Sequence, residues 1–349
     1  MSICNWEEQQ NVITVVNLLK ASSLSLNFLF LKRLFFHFPP QKGLLSFFFF
    51  HVMCLLNLHK PQIPETPSNI PRADVDKVMQ LYHHPYSLDS QKVRLALEER
   101  VVDYTSYHVN PLTGKNMDSS FFRMNPSAKL PVFQNGEHII FNTAEIIQVQ
   151  KLYIERIAVV SSGGGKITVS SGEVVEWMNK IQEWNPKFFT LSHIPEKYRL
   201  FISKFMRRVV IARMSEFPDL ASAYHRKLRD EYETEDKLKN PEVLRRSKKH
   251  LVSLLDEAET KLSETLYLVG EEFTMADVMF IPVLARLELL NLQDEYINSR
   301  PNVAEYWNGV KQRPSYKKVI GRYFNGWRKY KTLLKTWCFL QIRSKLSRY

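Results

Sequence analysis

Residues 82–98, with the sequence YHHPYSLDSQKVRLALE, place hydroxyl and acidic side chains between a predicted strand and a predicted helix. Ser87 follows the strand-breaking Pro85, and Asp89 and Ser90 come where the helix begins. A hydroxyl at this point can simply cap the helix, as Asp89 or Ser90 could also do. It can also donate to a bound thiolate, because donors and helix N-termini lower a thiol pKa from about 8.5. From the residues alone, helix capping is the favoured role of Ser87, and stabilisation of an anionic sulfur is the alternative.

The common short motifs of redox, metal and nucleotide-binding sites are absent from the sequence. It contains no CxxC, HExxH, GxGxxG or GxxxxGK(S/T) pattern, so no metal is expected. Cys4, Cys54 and Cys338 are too widely spaced for a disulfide framework or a zinc site. A reducing, cytoplasmic location is therefore expected.

The elements that must position Ser87 alternate in type over residues 79–160. Asn135-Gly136 between two β-type runs indicates a hairpin. The order βαβαββα predicts an α/β, thioredoxin-like domain with a mixed four-stranded sheet and helices on its faces. The predicted segments are, in chain order, VMQLYHH, QKVRLALEERVV, 103–110, a helix around 114–123, 129–133, 138–141 and a helix over 142–157.

The following half of the chain is predicted to be all-helical. A Ser/Gly-rich linker at 161–172 precedes a helical domain over 173–321. Within it, the charged stretch 224–264 predicts a solvated helix pair broken by a proline. The apolar stretch 274–290 predicts the buried central helix, and its opening TMAD matches a capping pattern.

The first 78 residues are predicted to be an extension outside the folded core. They carry a charge balance of +2, and the connector 60–77 contains four prolines. Residues 43–58 form a charge-free run of sixteen residues, whereas a spanning helix needs about 20. The interpretation favoured here is dispensable upstream sequence, with a targeting or anchoring segment as the alternative.

The last 28 residues hold most of the net charge of +12. Residues 322–349 carry eight Lys/Arg and no acidic residue, so the basic pI does not indicate a nucleic-acid-binding core. Aromatic and aliphatic residues alternate with these cations. The pattern fits either peripheral contact with an anionic membrane surface or a last helix packed on the domain.

Several blocks together resemble the glutathione transferase superfamily. The thioredoxin-like half matches through LYHHPYSLDSQKVRLALEE and NPSAKLPVF, and through the polar pair after HIIF. The helical half matches through LVGEEFTMADVMFIPVL and PNVAEYWNGVKQRPSYKKV. The blocks cover about residues 79–320 in the family's order. Within the superfamily, the chain is most similar to the plant tetrachlorohydroquinone-dehalogenase-like class.

The resemblance implies a glutathione site position by position. Ser87 would contact the sulfur, and Leu130, before a cis-Pro131, would pair its backbone with the cysteinyl part. The remaining implied contacts are with the two ends of glutathione. Lys129 and Asn116 match positions at the glycine carboxylate, and Asn142 and Thr143 match the pair that holds the γ-glutamyl end.

The implied function is a transferase that uses glutathione as co-substrate. Namesake dehalogenases have a cysteine two positions beyond the serine, and Asp89 stands there, so chemistry through a mixed disulfide is not expected. Conjugation of small electrophiles in detoxification is the leading hypothesis, with peroxide reduction beside it. A non-catalytic binding or membrane-associated adaptor is the alternative. A homodimer is implied by the resemblance alone.

Overall fold

The computed structural model describes residues 79–143, 145–147, 172–324 and 326–346. The predicted extension 1–78, the linker residues 161–171 and most of the predicted helix 142–157 lie outside the described residues. The domain boundaries drawn through those segments therefore stay predictions.

A four-stranded mixed sheet forms the first half, as the alternating pattern predicted. Strands β1 (Gln80–His83) and β2 (Thr105–His108) are parallel, and they are joined by helix α1 (Leu88–Glu99). Strand β3 (Val132–Asn135) runs antiparallel to β1, and β4 (His138–Ile140) completes the predicted hairpin. The sheet order is β2-β1-β3-β4.

The connection from β2 to β3 is made of short helical turns. Two 3₁₀ turns, Pro111–Thr113 and Lys115–Met117, come before helix α2 (Ser119–Met124). Gly114 joins the two turns with a φ of 77°, in the left-handed region that favours glycine. The predicted single helix around 114–123 is thus split, because Gly114 breaks the helical run.

The second half of the described chain is helical. Its elements, in order, are α3 (Gly172–Glu183), α4 (Pro186–Ser192), α5 (Glu196–Glu216), a 3₁₀ turn (Pro218–Leu220), α6 (Ala221–Lys239), α7 (Pro241–Leu262), α8 (Met275–Leu289), α9 (Gln293–Tyr296), α10 (Pro301–Val310), α11 (Pro314–Tyr316), a π-helical turn (Lys317–Gly321), α12 (Arg322–Phe324) and α13 (Gly326–Leu346). The predicted break in the charged helix pair is confirmed between α6 and α7, where Asn240 caps the second helix.

Helix α8 is the buried centre of the molecule, as its apolar sequence predicted. Its residues from Ala276 to Ala285 are all buried, and it packs against α1 and α3. Asp277 forms the predicted capping box, accepting bonds from the backbone N and Oγ1 of Thr274 at 2.8 and 2.9 Å. Because α8 packs against α1, the helical half of the chain helps to position the helix that Ser87 caps.

Candidate functional site

The strand register brings most of the predicted site segments to one end of the sheet. Tyr82, near the end of β1, pairs with Val132, the first residue of β3. Ile140, the last residue of β4, pairs with Phe133. The end of β1, the start of β3 and the end of β4 therefore meet at the same edge. The loop to Ser87, the Leu130–Pro131 bond and Thr143 continue directly from those three strand ends.

Ser87 is the N-cap residue of α1. Its backbone is extended (φ −81°, ψ 120°), and its Oγ accepts a bond from the Ser90 backbone N at 3.4 Å. Capping uses a lone pair of the hydroxyl oxygen, so the hydroxyl hydrogen stays available to donate. The side chain is half-buried. Capping and donation to a sulfur are therefore compatible at Ser87.

Buried polar side chains hold the loop that carries Ser87. The His84 backbone N donates to Ser90 Oγ at 3.4 Å, and Gln91 Nε2 donates to the Pro85 carbonyl at 2.7 Å. A turn bond joins the Ser87 backbone N to the His84 carbonyl at 3.0 Å. Both Ser90 and Gln91 are fully buried. Sequence analysis missed Gln91, although a polar residue among the apolar positions of α1 is the signal that could have revealed it.

The helical half supplies a further bond to the same loop. Arg286 Nη2 of α8 donates to the Tyr86 carbonyl at 2.5 Å, and Nη1 lies 3.4 Å from Thr190 Oγ1. Burial lowers the pKa of Arg286 to about 10, and the Asp89 carboxylate opposes that shift. Arg286 was also missed by sequence analysis, since nothing in the local pattern of α8 indicates a partner 200 residues earlier.

Asp89 forms an ion pair behind the loop. Lys92 Nζ lies 3.3 Å from Asp89 Oδ1, and it also donates to Gln182 Oε1 of α3 at 3.1 Å. Burial lowers the pKa of Lys92, while Asp89 acts in the opposite direction. The dehalogenases have a cysteine at the position of Asp89. Here the Asp89 carboxylate pairs with the buried Lys92 ammonium.

Leu130 and Pro131 are buried at the start of β3, and the bond between them is cis, as predicted. Lys129 is exposed, and its carbonyl accepts a bond from Asn125 Nδ2 at 3.0 Å. The Lys129 ammonium can therefore reach an anionic group in solvent. The proposed backbone pairing through Leu130 stays a prediction.

Asn116 is placed differently from Lys129. It is buried, and its Nδ2 donates to the Ala128 carbonyl at 2.8 Å. Its Oδ1 is buried without a partner among the described residues. In this position Asn116 ties the turn after β2 to the approach of β3. Its contact with the glycine carboxylate stays a prediction, as does that of Lys129.

Asn142 and Thr143 lie where the chain leaves β4. The Asn142 side chain is exposed, and its Oδ1 accepts a bond from the Glu145 backbone N at 3.4 Å. Its carbonyl accepts from the Ile146 backbone N at 2.8 Å. Thr143 is only 5% exposed. Asn142 therefore caps a helical turn, and the γ-glutamyl contacts of the pair stay predictions.

The short helix α12 and the first turns of α13 lie beside the site loop. The Tyr86 ring stacks on Phe324 at 5.4 Å between centroids, and its hydroxyl donates to the Tyr323 carbonyl at 3.0 Å. Burial raises the pKa of Tyr86 to about 12, although a hydrogen bond with Thr332 acts against the shift. Tyr86 thus joins the Ser87 loop to the start of the basic tail.

The tail packs on the domain, which was one of the two alternatives for residues 322–349. Leu340 is 1% exposed within a cluster that includes Phe205 of α5, and Trp337 contacts the ring of Phe201. Asn110 Nδ2 donates to Thr336 Oγ1 at 3.2 Å. The apolar side of α13 is therefore engaged with the protein. Among the described residues, no helix is long and apolar enough to span a membrane.

Comparison with known proteins agrees with this geometry. A family model for the glutathione S-transferase N-terminal domain matches residues 77–149, and one for the C-terminal domain matches residues 241–307. The chain is 70% identical over 271 residues to Glutathione S-transferase TCHQD of Arabidopsis thaliana, covering 78% of this chain and 100% of that relative. The chain belongs to the glutathione transferase family.

More distant relatives of this glutathione transferase include the tetrachloro-p-hydroquinone reductive dehalogenase of Sphingobium chlorophenolicum. The two are 26% identical over 239 residues, which cover 68% of this chain and 93% of the dehalogenase. Among solved structures, glutathione transferase F2 from Populus trichocarpa aligns with a TM-score of 0.49 and 20% identity, over 72% of this chain and 99% of that one. The family-model matches and the 70% identical relative confirm the expected family, and the four-stranded mixed sheet followed by helices confirms the fold class.

Glutathione is the co-substrate of the family to which this chain belongs. Within the described residues, no group of three or more His, Cys, Asp or Glu side chains could hold a metal ion. The arrangement at the sheet end instead offers a hydroxyl donor at Ser87, an exposed cation at Lys129 and backbone groups at the start of β3. These features suit a small peptide that carries a thiol and carboxylates.

Proposed function

We propose that this glutathione transferase uses Ser87 to hold the glutathione sulfur as a thiolate and conjugates it to small electrophiles. The observation that carries the proposal is the position of the Ser87 hydroxyl. It caps α1 as an acceptor and keeps its hydrogen for a ligand at the edge where β1, β3 and β4 meet. A donor beside a helix N-terminus favours an ionised thiol, which is the reactive nucleophile.

The remaining contacts follow from the positions around Ser87. Lys129 pairs with the glycine carboxylate, and the backbone at Leu130 pairs with the cysteinyl unit as an added strand. Thr143, next to β4, contacts the γ-glutamyl end, with Asn142 beside it. Because residue 89 is an aspartate and is paired with Lys92, turnover proceeds without a protein thiol at that position. Organic hydroperoxides are a second class of acceptor for the same thiolate.

Four further features belong to the same proposal. The enzyme acts in the cytoplasm, in detoxification, and it assembles as a homodimer. The exposed Lys331 and Lys335 of α13 give it weak, peripheral attraction to anionic membranes. Because the apolar side of α13 packs on the protein, this attraction is electrostatic rather than an insertion of apolar side chains.

The test compares wild type, Ser87→Ala and the control Ser253→Ala, which removes an exposed hydroxyl from α7. Each protein is applied to immobilised glutathione and then assayed with an aromatic halide and an organic hydroperoxide. We expect Ser87→Ala to lower kcat by about tenfold or more, which corresponds to about 1.4 kcal/mol, and to keep its retention. The control should match wild type.

Two results would contradict this assignment. Equal turnover by Ser87→Ala, with an unchanged absorbance of the bound thiolate, would remove Ser87 from the mechanism. Retention of wild type without turnover of any electrophile or hydroperoxide would support the non-catalytic adaptor instead.

A further inference from the structure

Arg286 is the side chain by which the helical half reaches the loop of Ser87. Its Nη2 donates to the Tyr86 carbonyl at 2.5 Å, and its Nη1 lies 3.4 Å from Thr190 Oγ1 on α4. The Tyr86 carbonyl and the Ser87 N–H belong to one planar peptide unit. A fixed carbonyl therefore fixes the plane from which the Ser87 side chain projects.

The charge of Arg286 has no direct counter-ion in the described part of the chain. No carboxylate there lies within ion-pair distance of the guanidinium, and its Nε is buried without a partner. Asp89 is the charged group that acts on it from a longer range. Asp89 is itself paired with Lys92 at 3.3 Å, so much of its charge is already balanced. A positive potential is left at the base of the loop.

The bond to Arg286 also reduces the effect of the partial negative charge of the Tyr86 carbonyl oxygen on a bound ligand. A carbonyl oxygen carries partial negative charge, and an anionic sulfur beside it would be destabilised. Directed at a guanidinium, that oxygen is occupied by a charge-assisted hydrogen bond. Both effects, the occupied carbonyl and the nearby cation, favour an anion at Ser87.

We propose that Arg286 is a positioning residue for the transferase reaction: it orients the Tyr86–Ser87 peptide and, as a cation without a direct carboxylate partner, favours the anionic form of the bound sulfur. The inference rests on the proposed function of Ser87. It adds that the helical half takes part in activating the thiol.

The ionisation of the bound sulfur is the property to measure, because it can be distinguished from the titration of the groups around Arg286. His84 in the loop is buried with a pKa lowered to about 4, and the pKa of Tyr86 is raised to about 12 by burial, so both are neutral near pH 7. Asp89 and Lys92 on α1 form the ion pair described above, and burial lowers the pKa of Lys92. Ultraviolet absorbance of the thiolate reports the sulfur itself and not the Lys92 ammonium.

The experiment titrates the thiolate absorbance of glutathione bound to the full chain. It compares wild type with Arg286→Met, which keeps bulk without charge or donors, and with Arg286→Lys, which keeps the charge. Arg245→Met is the control, because Arg245 is an exposed residue of α7 paired with Glu242. We expect Arg286→Met to raise the pKa of the bound thiol by about one unit, and Arg286→Lys to restore part of that shift.

Turnover should follow the titration. For Arg286→Met we expect kcat near pH 7 to fall by about tenfold, with the loss recovered at higher pH, while KM for glutathione stays within about twofold. A merely structural role for Arg286 would lower kcat equally at every pH. That result, or a thiol pKa unchanged in Arg286→Met, would overturn the inference.

Two outcomes separate this inference from the proposed function. If wild type does not ionise bound glutathione, the thiolate mechanism fails and this inference fails with it. If wild type and the control ionise it and Arg286→Met does so at the same pH, only the role of Arg286 fails. Should Arg286→Met not fold, by circular dichroism, the neutral Arg286→Gln decides: a thiol pKa raised by about one unit supports the charge effect, and a titration identical to that of wild type refutes it.

Discussion

Acidification should destabilise the protein through two buried histidines next to the site loop. His83 is fully buried and His84 is 8% exposed. Burial, helped for His83 by Arg94, lowers the pKa of His83 to about 2, and burial with a contribution from His108 lowers the pKa of His84 to about 4. Neither ring is protonated in the native state at mildly acidic pH.

The sign and size of the effect follow from proton linkage. An unfolded histidine has a pKa of 6.5, so below that pH the unfolded chain binds protons that native His84 does not. Stability is thus intact above about pH 6.5 and is lost as the pH falls toward about 4. At about pH 5 the loss is about RT ln(1 + 10^1.5), which is about 2 kcal/mol for each of the two histidines.

Chemical denaturation at about pH 7.5 and about pH 5 measures this loss. The sharpest comparison uses His84→Gln, which removes the titrating ring, and His225→Gln, which removes an exposed histidine from α6. Carboxylates that titrate in the same range cancel when each variant is referred to wild type at the same pH. We expect the stability difference between His84→Gln and wild type to change by about 2 kcal/mol between the two pH values, in favour of the variant at low pH.

The reasoning would be refuted by a pH-independent difference between His84→Gln and wild type. It would also be refuted if the exposed control showed the same change, because the effect would then come from charge in general and not from burial.

Two predictions concern the C-terminal helix. Leu340→Ala should weaken the docking of α13 by about 2–5 kcal/mol and speed the hydrogen exchange of this helix. Leu334→Ala, at a position 56% exposed, should change little. Equal exchange in both variants would contradict the packing described. Exchanging Lys331 and Lys335 for Glu should reduce co-sedimentation with vesicles containing acidic lipids, since each cation contributes about 1 kcal/mol near such a surface. Binding that is unaffected by this exchange would exclude electrostatic attachment through α13.

The local pattern of the sequence determined the elements and their order. Alternating and helical periodicities predicted the four strands, the hairpin at Asn135-Gly136 and the buried helix α8, because these signals come from residues close together in the chain. The position of Ser87 at the start of α1 was also readable locally, since strand, proline and hydroxyl cluster within a few residues. Family membership followed from several such blocks in one order.

Tertiary structure alone decided what surrounds Ser87. The bond from Arg286 to Tyr86 joins residues 200 positions apart, and the packing of Leu340 depends on α5. The bond from Asn116 to the Ala128 carbonyl was likewise not readable from the sequence, and the ligand contact of Asn116 stays a prediction. Such contacts depend on how whole helices pack, and local periodicity holds no information about which distant backbone group a buried side chain will meet.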